Sequence, residues 1–140
     1  MKNKIIYSDF NLENGSSVVI IENKKFGCFE GRAQLHPEDR DHLSTFAGCR
    51  YAEARANIAC VQHQKKLKAD EIKTLTDFEK ILKNKKDYNH HSMEARTLRK
   101  RIYALKEEKQ QLKDLENSMK KALRKTMDDR DTFMKLTKKL

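Results

Sequence analysis

The chain has 140 residues, of which 37% are charged and 37% apolar, with no tryptophan, one proline, four glycines and a formal net charge of +10. This is too little apolar material for a thick globular core; it suits one domain, or one small domain plus an extension, built largely from elongated helices that bury only a seam. No window approaches the roughly 20 apolar residues of a membrane span, and the opening Met1-Lys2-Asn3-Lys4-Ile5-Ile6-Tyr7 has no apolar run long enough for a signal peptide, so a cytoplasmic protein is expected.

Ile5-Ile6-Tyr7 and Phe10 form a short strand candidate, followed by Asn11-Leu12-Glu13-Asn14-Gly15-Ser16, in which Asn-Gly signals a turn. Val18-Val19-Ile20-Ile21, four β-branched residues in a row, is the clearest strand. Asn23-Lys24-Lys25 turns the chain into a third strand, Phe26 to Ala33, which Gly27 and Gly31 are expected to bulge or bend. Three strands make an antiparallel meander that needs cover for its apolar face. The start of the following helix, with Leu43, Phe46, Ala47 and Tyr51, is the nearest cover.

Leu35-His36-Pro37-Glu38-Asp39-Arg40-Asp41 reads as a helix start, with proline in the first turn and three carboxylates facing the positive end of the helix dipole. His, Glu and Asp can also ligate a metal or act as acid and base, but no second cluster offers to complete such a site. Gly48 early in the helix predicts close packing on the sheet.

After Gly48 the chain contains neither glycine nor proline, so the rest reads as long helix. The one interruption is Asn84-Lys85-Lys86-Asp87-Tyr88-Asn89-His90-His91-Ser92, rich in turn and cap formers. Arm A, about 39–84, places Tyr51, Ala54, Ile58, Val61, Ile72, Leu75 and Leu82 on a four-three spacing. Arm B, about 92–138, answers with Ala95, Leu98, Ile102, Leu105, Leu112, Met119, Leu123, Phe133 and Leu140. Each stripe is a coiled-coil seam that neither arm can bury alone, and a short connection favours an antiparallel pair. A turn centred near Tyr88 brings Lys65 and Lys68 opposite a stretch that includes Glu107 and Glu108, a polar layer midway along the seam unless the lysine stems snorkel past it. The fold class is therefore α+β: a small N-terminal antiparallel β-meander (1–60, with the first turns of arm A) packed on the start of a long antiparallel helical hairpin (61–140).

Residues 1–60 carry as many acidic as basic groups, whereas 61–88 carry eight basic against five acidic and 89–140 carry fifteen against eight. A basic surface of this kind favours polyanions: nucleic acid, a nucleoprotein or an acidic protein face. It is densest around the turn, where Lys80, Lys83, Lys85, Lys86, Arg96, Arg99, Lys100 and Arg101 outnumber Asp87 and Glu94. These eight side chains are the candidate contacts for a partner or nucleic acid, with Arg96 and Arg99 one helical turn apart and suited to bidentate recognition of phosphate or carboxylate. Few aromatic side chains lie near the turn, which speaks against base stacking.

Cys28, Cys49 and Cys60 are odd in number and lack metal-type pairing, so free thiols and no metal are expected. No phosphate-cradling glycine loop, Ser/His/Asp set or paired catalytic carboxylates appear, which points to a non-enzymatic protein with no catalytic residues and no cofactor.

The pattern Gly31-x-Ala33-x-x-His36-Pro37-Glu38-Asp39, then Phe46-x-Gly48-x-x-x-Ala52-Glu53-x-Arg55-Ala56, resembles that of small, mostly uncharacterised proteins encoded by phages and prophages of low-GC Gram-positive bacteria. The likeness covers about residues 18–60 and departs from the pattern at Leu35, before His-Pro. It implies phage origin, action in the host cytoplasm and a binding rather than catalytic role, and it carries over no active site. The favoured reading is a protein that inhibits or modulates a host nucleic-acid-handling machine such as a CRISPR effector, as anti-CRISPR proteins do. The alternatives are direct DNA or RNA binding in phage replication or regulation, and a homodimer whose arms make a longer coiled coil.

Overall fold

The computed structural model describes the backbone of residues 3–11, 13–34 and 45–139, and the side chains among them except at 45–47 and 131–139. The expected roles of the His36-Pro37-Glu38-Asp39 segment and of the side chains of Leu43, Phe46, Ala47, Phe133 and Leu140 fall outside the described residues. Three strands are followed by two long helices that pack together as an antiparallel hairpin: β1 (Lys4–Asn11), β2 (Ser16–Asn23), β3 (Gly27–Gln34), α1 (Thr45–Lys83) and α2 (Met93–Lys139). The chain divides into two compact units, a head of residues 1–61 with 116–140 and a helical unit of residues 62–115. Among the described residues no helix is long and apolar enough to cross a membrane.

In the head, β1, β2 and β3 pair antiparallel in that order. The β-branched run of β2 takes the centre, where Val19 and Ile21 are buried against α1 and their neighbours Val18 and Ile20 face the other side, as the two-residue period of a strand requires. The first turn uses the Asn-Gly pair: Gly15 takes a φ of 71°, its amide donates to the Asn11 carbonyl at 2.8 Å, and the Asn14 side chain accepts from the Ser16 amide at 3.0 Å. In the second turn, the buried Asn23 carboxamide oxygen accepts from the Lys25 and Phe26 amides at 2.9 and 3.1 Å. Its Nδ2 donates to Asn3 at 2.8 Å, and Asn3 in turn donates to Asn57 of α1 at 2.8 Å. This amide chain satisfies polar groups that burial would otherwise leave costly, and it fastens turn, terminus and helix together.

Gly31 departs from the expected bulge. The β2–β3 register runs without a break from Ser16↔Gln34 to Asn23↔Gly27, and the irregularity lies instead in β1, between Ile5 and Tyr7. The strand and helix backbones meet at Gly31: a Cβ there would collide with the Ala52 carbonyl and the Ala56 amide of α1. The small faces of Ala52 and Ala56 permit this approach, and Val19, Ile21, Ala33, Tyr51 and Cys60 close the core around it. Leu123 and Met127 of α2 pack against the same cluster. Gly48 serves as its spacing predicted, since a side chain there would run into the Ser17 hydroxyl and the Phe10 ring. Arg55, one of the residues of the resemblance, donates to the Arg32 carbonyl of β3 at 2.6 Å, which makes it a strut between helix and sheet.

In the helical unit, Ala95, Ile102 and Leu105 are buried in the seam, flanked by half-buried Ile72, Leu75, Leu98 and Leu112. Lys68 meets Glu108 at 2.7 Å and Arg101 meets Glu71 at 3.0 Å, both across the arms. The first of these pairs sits in the register that a turn near Tyr88 predicts.

Candidate functional site

The basic tip is built by a turn that closes on itself. Ser92 caps α2, its hydroxyl accepting from the Ala95 amide at 3.2 Å and its carbonyl from the Arg96 amide at 3.0 Å. Asn89 accepts from the His91 amide at 2.9 Å through its side chain and from the Ser92 amide at 3.0 Å through its carbonyl. Arg99, nine residues beyond His90, reaches back along the first turns of α2: Nη2 donates to the His90 carbonyl at 2.8 Å, and Nη1 lies 3.0 Å from His90 Nδ1. Guanidinium can only donate, so in this contact Nδ1 is the acceptor. The Arg99 charge, with His91 and Lys83 adding to it and Glu79 opposing, holds His90 below the ordinary histidine value of 6.5.

Linkage follows from that direction. A histidine whose folded value lies below its unfolded value stabilises the fold fully above about pH 6.5, and the contribution is lost as pH falls through the folded value. The Arg99–His90 staple is therefore expected to loosen as the solution is acidified below pH 6.5. Amide exchange at 89–99, followed by NMR against pH, should quicken in that range, and His90→Phe should remove the pH dependence. Exchange that is flat from neutral pH to below the histidine range would show that the ring does not hold the turn.

The eight basic residues expected at the tip divide into two sets. Arg99 is spent on the turn, Arg101 on Glu71, and Lys83 lies 3.6 Å from Glu79 one turn before it. The side chains of Lys80, Lys85, Lys86, Arg96 and Lys100 are exposed and make no ion pair or hydrogen bond among the described residues. The two-arginine grip suggested by the spacing of Arg96 and Arg99 is thus not assembled here, since the Arg99 fork is already engaged.

Sequence reasoning missed the apolar part of the tip. Phe78 and Ile81, one turn apart on α1, are 54% and 62% exposed, and Met93 at the start of α2 is more exposed still. The signal was present, since Phe78 and Ile81 fall outside the four-three seam, but two apolar residues off a stripe are common on helices. Cys28, Cys49 and Cys60 form no disulfide, and no group of three or more His, Cys, Asp or Glu side chains suited to a metal occurs among the described residues. Comparison of the chain with protein-family models, with curated proteins and with solved structures gives no match.

Proposed function

We propose that the protein is a non-enzymatic, phage-type binding protein whose hairpin tip docks on an acidic face of a host protein in a nucleic-acid-handling machine, such as a CRISPR effector, and inhibits or modulates it in the host cytoplasm. The observation that carries this reading is the pairing of exposed Phe78 and Ile81 with the uncompensated cations Lys80, Lys85, Lys86, Arg96 and Lys100 in one compact unit. Apolar anchors within a charged rim are the anatomy of a protein interface, whereas a phosphate backbone has no use for an exposed phenylalanine and isoleucine on the outside of a helix. The rim charges steer the encounter, and the anchors supply affinity once water is expelled. The Ser92 hydroxyl and the His90 ring are already engaged in holding the turn, so the tip offers contact rather than chemistry.

The test is retention of host proteins from lysate, with and without nuclease. The reading predicts a partner that survives nuclease treatment, is lost with Phe78→Ser/Ile81→Ser, and is lost with Lys85→Glu/Lys86→Glu/Arg96→Glu/Lys100→Glu. Arg99 and Arg101 are left intact in both variants because they hold the hairpin. A partner that disappears with nuclease alone would instead place direct nucleic-acid binding first.

A further inference from the structure

Away from the tip, charge compensation along the helical unit is uneven. Lys68–Glu108 and Glu71–Arg101 neutralise each other across the arms. Elsewhere between the arms lies an open groove of about 520 Å³, lined by Lys65 and Ile72 of α1 and by Lys106, Lys109, Gln110 and Lys113 of α2. The side chains of Lys106, Lys109 and Lys113 form no ion pair among the described residues. Of the carboxylates next to them in sequence, Glu107 and Glu108 do not line the groove, Glu108 meeting Lys68, and Asp114 accepts a hydrogen bond from Gln110 at 3.0 Å. Lys106, Lys109 and Lys113 of α2 thus line one groove beside Lys65 of α1, and no carboxylate lines it.

From this we infer that the groove binds the phosphate backbone of a nucleic-acid strand. The inference deepens the proposed function, on which it rests for the presence of nucleic acid beside the host protein. Lys106, Lys109 and Lys113 recur at three- and four-residue intervals, so they stand in a row along one side of α2 that covers roughly 10 Å of helix axis. Each of the three ammonium groups, on its flexible stem, can neutralise one phosphate in a short run along a strand. Ammonium groups on flexible stems act as point charges that tolerate the changing geometry of a backbone, whereas a planar carboxylate is better served by the arginine fork, which this groove lacks. No aromatic side chain lines the groove for a base to stack on, and its one neutral polar side chain is Gln110. Binding is therefore indifferent to sequence. The tip takes the protein and the groove takes the nucleic acid, so one hairpin holds both components of a nucleoprotein.

The purified full chain is titrated against a fluorescein-labelled single-stranded oligonucleotide over a salt series, with wild type, Lys106→Glu/Lys109→Glu/Lys113→Glu, the corresponding triple Gln variant, and a control carrying the same charge reversal at Lys121, Arg124 and Lys125. Circular dichroism first establishes that each variant keeps its helices. The groove reversal is expected to weaken binding at least about tenfold and to reduce the slope of log affinity against log salt by about 2, as three lost phosphate contacts require. The Gln variant reproduces the change of slope, and the control keeps most of the affinity, because exposed charges beyond about 8 Å are screened at physiological salt. Polyglutamate competes poorly with the oligonucleotide. An unchanged slope in both groove variants would overturn the inference, and so would polyglutamate that displaces the oligonucleotide at equal charge. Failure here is separable from failure of the docking reading: the tip variants should keep oligonucleotide binding while losing the nuclease-resistant partner, and the groove variants the reverse.

Discussion

Gly31→Val is expected to unfold the head, at a cost of about 4 kcal/mol or more, the upper end of what one substitution does. The usual relief of overpacking is a shift of neighbouring side chains, but the atoms facing Gly31 are the Ala52 carbonyl and the Ala56 amide, which belong to the hydrogen-bonded ladder of α1. Making room means moving the helix off the sheet and opening the contacts of Val19, Ile21 and Cys60. Gly27 provides the contrast. Its φ of +96° is strained for any other residue, yet nothing lies within 4 Å of where its Cβ would be, so Gly27→Ala should cost only about 1 kcal/mol or slightly more. Urea denaturation of the two variants side by side checks both numbers. A Gly31→Val protein with the wild-type midpoint would mean that β3 and α1 do not touch at that position.

Ile102→Asp is the second large effect, about 3–5 kcal/mol, because it removes a buried side chain and leaves a carboxylate in its place. Ile102 is 8% exposed and lies one turn before fully buried Leu105, in a unit with few other buried apolar residues. Ile102→Val should cost only about 1 kcal/mol. The loss should fall on the helical unit, so amide exchange across 62–115 should accelerate in the Asp variant. Wild-type melting of that variant would mean that the seam does not run through position 102.

Much of this architecture follows from local pattern. The breaker-free stretch after Gly48 yields both helices, the β-branched run yields the central strand, and the Asn, Asp and Ser residues of 84–92 mark the turn. Local chemistry is enough because each of these features is decided by propensity and period. Gly31 was legible as special but not as to its role, since a bulge and a backbone contact call for the same residue and only the helix across from it distinguishes them. Arg99 shows the same limit at the tip. By spacing it belongs with Arg96, but its fork is claimed by His90, a partner reached only once the cap at Ser92 folds the turn back. Lys65 and Lys68 were legible as one polar layer. The register puts Lys68 on Glu108 and places Lys65 among the residues that line the lysine groove. Charge counting finds a basic hairpin, whereas compensation between individual charges depends on which helix face meets which, and that is settled by packing.

The most direct measurement for the central claim is site-specific photo-crosslinking. A benzophenone side chain placed at Ile81, exposed near the end of α1, is irradiated in nuclease-treated host lysate, with the same group at Lys121 in the head as reference. One discrete protein adduct is expected from position 81, absent from position 121, and suppressed when Lys85, Lys86, Arg96 and Lys100 are reversed to glutamate. Adducts that are the same from both positions, or that persist undiminished after the charge reversal, would contradict the central claim.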